Sequence, residues 1–239
     1  MKAPLTGRTM LVTGASRGIG FAIAQAAQRA GARVAIVARG AEPLAKRATE
    51  LGGSAVAIPC DVTDESAVTA MVARVRSAFG DIPDIVVNNA GVFAPAALEI
   101  TTTASFRESV AVNLIAPFLV ARAVLPRMVE RHAGHLVTIG SAADRHAYAE
   151  NGAYSAGKAG ARAMHEVLRA EVRGSGVRTT LVSPGAVNTG VWDAIEPDGR
   201  GRFPNKNAML EVEDVAAAVL YAVTQPPRVN VDELRLARA

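Results

Sequence analysis

The chain is poor in several things, and each shortage excludes a class of protein. It has one cysteine, Cys60, in 239 residues, so it can build no internal disulfide framework and no cysteine-based zinc cluster. Net charge is only +4, and the 22 arginines are dispersed instead of collected in basic blocks, which leaves no footprint for a nucleic acid. The four histidines, at positions 132, 135, 146 and 165, show no metal-ligand spacing, and no metal is implied. There is no repeat, low-complexity tract or interdomain linker, so a single domain over 1–239 is expected. The most apolar stretch, VNLIAPFLVARAVL, is interrupted by Asn113, Pro117 and Arg122, which argues against a membrane span. Near the N-terminus, MLVTGAS is short and ends in a glycine turn, as a first strand would and a secretory signal would not. The expectation is a soluble, cytoplasmic protein.

What the chain does have is apolar surface: half of its residues are hydrophobic, ample for a sizeable core. Short apolar runs alternate with longer helical patterns, placing strands near 9–14, 33–38, 54–60, 84–89, 135–140, 178–183 and 232–236. Runs such as VAIVA, DIVVN and LVTIG lack polar alternation, as strands buried on both faces do. The predicted fold is α/β, a Rossmann-like doubly wound, seven-stranded parallel sheet flanked by helices on both faces. Residues 188–210 break this rhythm with Pro197, Gly199, Gly201 and Pro204. A long irregular segment directly after a strand's C-terminal end predicts a substrate lid.

The stretch TGASRGIG, residues 13–20, joins the first strand to the first helix, with Gly14, Gly18 and Gly20 spaced G-x-x-x-G-x-G and Ser16, Arg17 and Ile19 between them. A turn of this kind lets backbone approach a pyrophosphate, which the following helix N-terminus then binds. A site preferring NAD would show a carboxylate near the end of the second strand to hold the ribose 2′-hydroxyl. Here that strand ends AIVARG, with no Asp or Glu between 37 and 41, and Arg39 and Arg17 are placed to take a 2′-phosphate. Either arginine alone would read as a solvated surface charge; together they favour NADP(H). In PCDVTD, Asp61 can accept from an adenine amino group while Val62 packs on the ring, and Asp64 caps the next helix. The NNAG of 88–91 places Asn89, Ala90 and Gly91 beneath the cofactor, although both asparagines would also serve as turn formers.

Taken in order, T-G-x-x-x-G-x-G, Asp61, N-N-A-G, Asn113, Ser141, the Y-x-x-x-K of Tyr154 and Lys158, and Pro184-Gly185 resemble the short-chain dehydrogenase/reductase family over essentially the whole chain. The resemblance implies an NADP(H)-dependent carbonyl reductase, or alcohol dehydrogenase in reverse. It assigns Tyr154 as general acid/base, Lys158 as the charge that lowers the Tyr154 pKa and holds the nicotinamide ribose, Ser141 as donor to the substrate oxygen, and Asn113 as holder of a water in a proton relay. Val187 would face the carboxamide through its backbone, and Thr189 the carboxamide or pyrophosphate. The family also pairs its helices near 103–131 and 152–174 between subunits, implying a homodimer or homotetramer.

A mostly apolar substrate is expected from Phe93, His146, Tyr148 and Trp192 together with the lid. Of these, His146 is chosen only for its nearness to Ser141 in sequence. One rival is a 3-oxoacyl-carrier-protein reductase, for which Arg200, Arg202 and Lys206 would supply a basic surface at the site's mouth. The other is a non-catalytic NADP-sensing or scaffold protein, which would have no need of Ser141, Tyr154 and Lys158 together. The C-terminal PPRVNVDELRLARA loosely resembles bacterial members acting on small hydroxy acids and other simple alcohols.

Overall fold

In a computed structural model describing residues 3–52, 55–197 and 203–239, each apolar run becomes a strand and each longer pattern a helix. The order is β1 (Thr9–Thr13), α1 (Gly18–Arg29), β2 (Arg33–Ala38), α2 (Ala41–Glu50), β3 (Val56–Pro59), α3 (Glu65–Phe79), β4 (Ile85–Asn88), α4 (Thr103–Val110), α5 (Ala116–Glu130), β5 (Gly134–Ile139), α6 (Gly152–Glu171), β6 (Val177–Pro184), α7 (Val212–Val223) and β7 (Glu233–Leu236). The strands form one sheet in the order β3-β2-β1-β4-β5-β6-β7, and every pairing is parallel. This is the expected seven-stranded Rossmann-like architecture. The winding reverses between β1 and β4, which opens a crevice outside their C-terminal ends.

Successive strand residues point to opposite faces, and here both faces are covered. Val12, Ile36 and Val137 pack toward Ile23 of α1 and Val215 and Val219 of α7. Their neighbours Leu11, Val86 and Leu136 pack toward Val75 of α3, Val124 of α5 and Leu168 of α6. Two buried faces remove any reason for polar alternation, which is why these strands read as continuous apolar runs.

Local chemistry sets the boundaries. Asp64 accepts from the Ala67 N–H and starts α3, as its position predicts, and Gly80 ends it in the left-handed region at φ 88°. The third strand is shorter than the expected 54–60, and Ser54 lies outside the described residues. The expected helix near 103–131 is continuous from Thr103 to Glu130 but contains a π turn at Ala111–Ile115. Pro117 has no N–H to return to the carbonyl of Asn113, four residues back, so regular α-helical bonding cannot run through this point. By length and composition this run would cross a membrane, with mean hydropathy 1.7 in its most apolar window, yet 44% of that window is buried within this fold.

Candidate active site

The crevice at the strand ends is a cavity of about 1,080 Å³, reaching from the glycine turn to Trp192, Phe203 and Pro204; part of the expected lid, 198–202, lies outside the described residues. All the expected cofactor-holding residues, from Gly14 to Thr189, lie on its wall. Beneath it the buried Thr13 hydroxyl donates to Val87 O (3.3 Å) and accepts from the N–H groups of Asn89 (3.0 Å) and Ala90 (3.1 Å). The Asn89 amide donates to Thr13 O at 2.8 Å and Gly14 O at 3.3 Å. NNAG therefore braces the glycine turn, a structural use beyond turn formation. Gly14 has φ +66°, and a Cβ there would lie 2.8 Å from Ala90 Cα. A Cβ on Gly20 would collide with the Asn89 amide and lie 2.6 Å from Gly14 O. Glycine is required at both positions by contact with backbone.

Arg17 occupies the N-cap position of α1 without a side-chain cap bond, so the helix presents first-turn N–H groups toward the cavity. Arg39 lies beside Asp61, whose carboxyl is held below its ordinary range, first by two hydrogen bonds from Thr63 and then by the arginine's charge. One Asp61 oxygen is thus already occupied. A residue that sequence reasoning missed is Arg47 of α2, which donates through Nε to Ser16 O (3.2 Å), stacks on Phe21 (4.6 Å) and pairs with Glu50. Nothing in its spacing marks it, because the contact spans two elements.

Ser141 follows β5 and opens a short 3-10 turn, Ala142–Asp144. Tyr154 and Lys158 stand one helical turn apart on the first half of α6. Lys158 is 5% exposed, donates to Ile139 O at 2.8 Å and lies 5.8 Å from the Tyr154 ring centre. Burial pulls its ammonium down to about 8, against an upward pull from Asp144. The Tyr154 phenol moves the other way. Burial raises it, a hydrogen bond with the Ser141 side chain partly offsets this, and Asp144 adds to the rise. The expected lowering of the Tyr154 pKa is therefore not a property of the chain by itself, because desolvation outweighs the stabilisation of the phenolate.

Asn113 is held with its side chain turned away from the cavity. It is 2% exposed, lies behind Gly91 and is absent from the cavity wall. Its amide nitrogen donates to Val92 O (2.9 Å) and Ser109 Oγ (3.2 Å), and its oxygen accepts from Val92 N–H (3.3 Å). The side chain is occupied by protein, and the group without an i+4 donor is the main-chain carbonyl opposite Pro117. The Val187 carbonyl accepts the Trp192 indole N–H at 2.9 Å.

At the cavity's other end, beside Tyr154, four of the chain's ten aromatic residues meet. Phe93 is edge-on to Tyr154 (4.9 Å) and to Trp192 (5.2 Å), and Phe203 packs 5.5 Å from Trp192. Tyr148 also lines the cavity. Phe203 was missed individually, although the scarcity of aromatics was a usable signal. Asn151 was missed too: it is 7% exposed, lines the cavity and has an Oδ1 with no partner among the described residues. His146 is placed elsewhere. Its Nε2 faces Arg235 at 3.2 Å and it does not line the cavity, because the 3-10 turn after Ser141 carries the chain outward. Further along, Lys206 pairs with Asp193 at 2.7 Å, and Leu210 bridges to Val187. Arg200 and Arg202 lie outside the described residues.

A family model described as short chain dehydrogenase matches residues 8–199. An uncharacterised oxidoreductase of Staphylococcus aureus (strain USA300) is 35% identical over 231 residues, 96% of each chain, and one of Staphylococcus haemolyticus (strain JCSC1435) is 33% identical over the same share. Among solved structures, a metagenomic short-chain oxidoreductase in complex with NADP is 33% identical over 99% of both chains, with a TM-score of 0.84. An alcohol dehydrogenase from the archaeon Thermococcus sibiricus, complexed with 5-hydroxy-NADP, is 31% identical over 97% of both, with a TM-score of 0.85. Sheet order, glycine turn and these matches agree, and the chain belongs to the short-chain dehydrogenase/reductase family of oxidoreductases.

Proposed function

We propose that the protein transfers a hydride between NADP(H) and a carbonyl or secondary-alcohol substrate, with Tyr154 as general acid in reduction and general base in oxidation. The observation that carries this reading is the convergence of Ser141, Tyr154 and Lys158 on a cavity continuous with the glycine turn. That cavity fits the cofactor: Gly14 and Gly20 have no room for a Cβ, the α1 N-terminus faces inward, and Arg17 and Arg39 bring positive charge without a carboxylate at 37–41. NADP-bound relatives of known structure support the same choice. When bound, the nicotinamide supplies the hydride and, in its oxidised form, a positive charge.

The chain's own groups supply the rest. Ser141 donates to the substrate oxygen, and the Tyr154 phenol, kept protonated by burial, gives that oxygen its proton. The Lys158 ammonium, buried on the adjacent turn, would hold the ribose hydroxyls and would return the proton to Tyr154 through water at the Asn113 carbonyl. Phe93, Tyr148, Trp192 and Phe203 exclude water and select a mostly apolar substrate beneath the 188–210 lid. Exposed Phe106, Ile115 and Phe118 on the α4–α5 run and Val167 on α6 support pairing of these helices in a homodimer or homotetramer.

The test is a panel of ketones and alcohols with both cofactors. Tyr154→Phe should lower turnover by about 10²–10⁴-fold while leaving NADPH binding nearly unchanged. Wild type without turnover, or a fully active phenylalanine variant, would refute the mechanism. Turnover of a 3-oxoacyl-carrier substrate in preference to free ketones would move the assignment to a carrier-protein reductase.

A further inference from the structure

Behind the active serine sits Asp144, a carboxylate whose side chain is 1% exposed. A buried carboxylate is costly unless it is hydrogen-bonded or paired. Its Oδ2 accepts from Ser183 Oγ at 2.8 Å and faces the Ser141 N–H at 3.5 Å, completing a reciprocal capping box in which Ser141 Oγ accepts from Ala143 N–H. The cluster is tightly fitted: a Cβ on Gly140 would lie 2.5 Å from Ser183 Oγ and 2.9 Å from Asp144 Oδ2.

The charge of Asp144 is only weakly neutralised. Arg145 reaches Oδ1 at 3.5 Å but is held bidentately by Glu233 of β7, at 2.5 and 3.1 Å, and also faces Glu166 of α6 at 3.7 Å. Arg162 of α6 contacts only the Asp144 main-chain carbonyl, at 3.4 Å, and pairs with Glu166. The other ionisable groups facing this carboxylate are Lys158 and Tyr154 on α6, and its charge favours the proton-bearing form of both.

We propose that Asp144 is a positioning residue: hydrogen-bonded to Ser183 and to the Ser141 N–H, it fixes the backbone of Ser141 and sets a buried negative charge behind the Tyr154–Lys158 pair. This rests on the proposed roles of Tyr154 and Lys158. Burial lowers the Lys158 ammonium, and the negative charge behind Ser141 opposes that shift.

Asp144→Asn separates the two duties, since it keeps an acceptor for Ser141 and Ser183 and removes the charge. In protein labelled with ¹³C at the lysine side chains, with Lys158→Met to assign the signal, the Lys158 titration midpoint should fall from about 8 by roughly half a unit to one unit. The falling limb of the ketone-reduction pH profile should move to lower pH by a similar amount. Asp144→Ala should lose kcat by about tenfold or more with the NADPH KM unchanged, because Ser141 also loses its anchor. A titration and a pH profile in Asp144→Asn that superimpose on wild type would overturn the proposal, whether or not the alanine variant folds. The lysine titration needs no turnover, so a shifted midpoint in a protein that reduces no ketone would sustain Asp144's effect while refuting the catalytic reading.

Discussion

The two ends of the cavity are built from different material. The cofactor end is mostly backbone: the glycine turn, the tips of β1 and β4 and the N-terminus of α1, tied together by Thr13 and Asn89. The proposed substrate end is mostly side chain, with Tyr154, Trp192 and Phe203 brought from separate segments to pack around Phe93 edge to face. Backbone contacts leave no room for an added carbon, whereas aromatic clusters can be repacked at moderate cost. On the proposed function, the first end holds the cofactor and the second sets which carbonyl reaches Tyr154.

Substitutions can break that contrast. The largest effect is expected for Gly20→Ala, where a methyl group meets the Asn89 amide and Gly14 carbonyl and displaces the turn; NADPH affinity by titration should fall on the order of 10²-fold, about 2.7 kcal/mol. Next is Arg39→Asp, which puts a carboxylate where a 2′-phosphate would sit. The ratio of kcat/KM for NADPH over NADH should fall by about 10- to 100-fold, and an unchanged ratio would mean that another group reads the 2′ position. Trp192→Ala should be milder on rate. We expect about a tenfold loss of kcat/KM for bulky apolar ketones and little change for small ones, because the lid loses its largest buried ring while the cradle is untouched.

The smallest effect on activity belongs to two histidines under the sheet ends. Thr180 donates its hydroxyl proton to Val231 O, so it accepts from His135 Nε2–H and leaves Nδ1 bare. Burial takes His135 down to about 3 and His165 to about 4, below the ordinary value of 6.5. Both fold as neutral imidazoles, so their stabilising share is complete above about pH 6.5 and is lost as pH falls toward 4 and then 3. Melting temperature should drop through this window, and His135→Asn, though less stable at pH 7, should show a shallower acid slope. Parallel slopes would place the acid sensitivity elsewhere.

The same contrast explains what the sequence made legible. Glycine turn, Asp64 cap, Ser141 and the Tyr154–Lys158 pair are local patterns whose chemistry depends on spacing, so they could be read before any coordinates. Pro117 was visible as well, and its missing N–H accounts for the π turn around Asn113 that a plain helical period did not foresee. His146 misled because nearness along the chain says nothing of direction after a turn. Arg47, Asp144 and Asn151 act through burial and through contacts between distant elements, and neither burial nor such contacts have a sequence period.

The central claim is that both ends serve one event at Tyr154, hydride arriving from one side and a proton from the other. Single-turnover reduction of an apolar ketone with NADPH deuterated at the transferable position tests it most directly, in wild type and Tyr154→Phe, with NADPH binding measured on both. The account predicts deuterium on the carbinol carbon of the wild-type product, and intact cofactor binding with almost no product in the variant. Product without the label, or equal product from the two proteins, would contradict it.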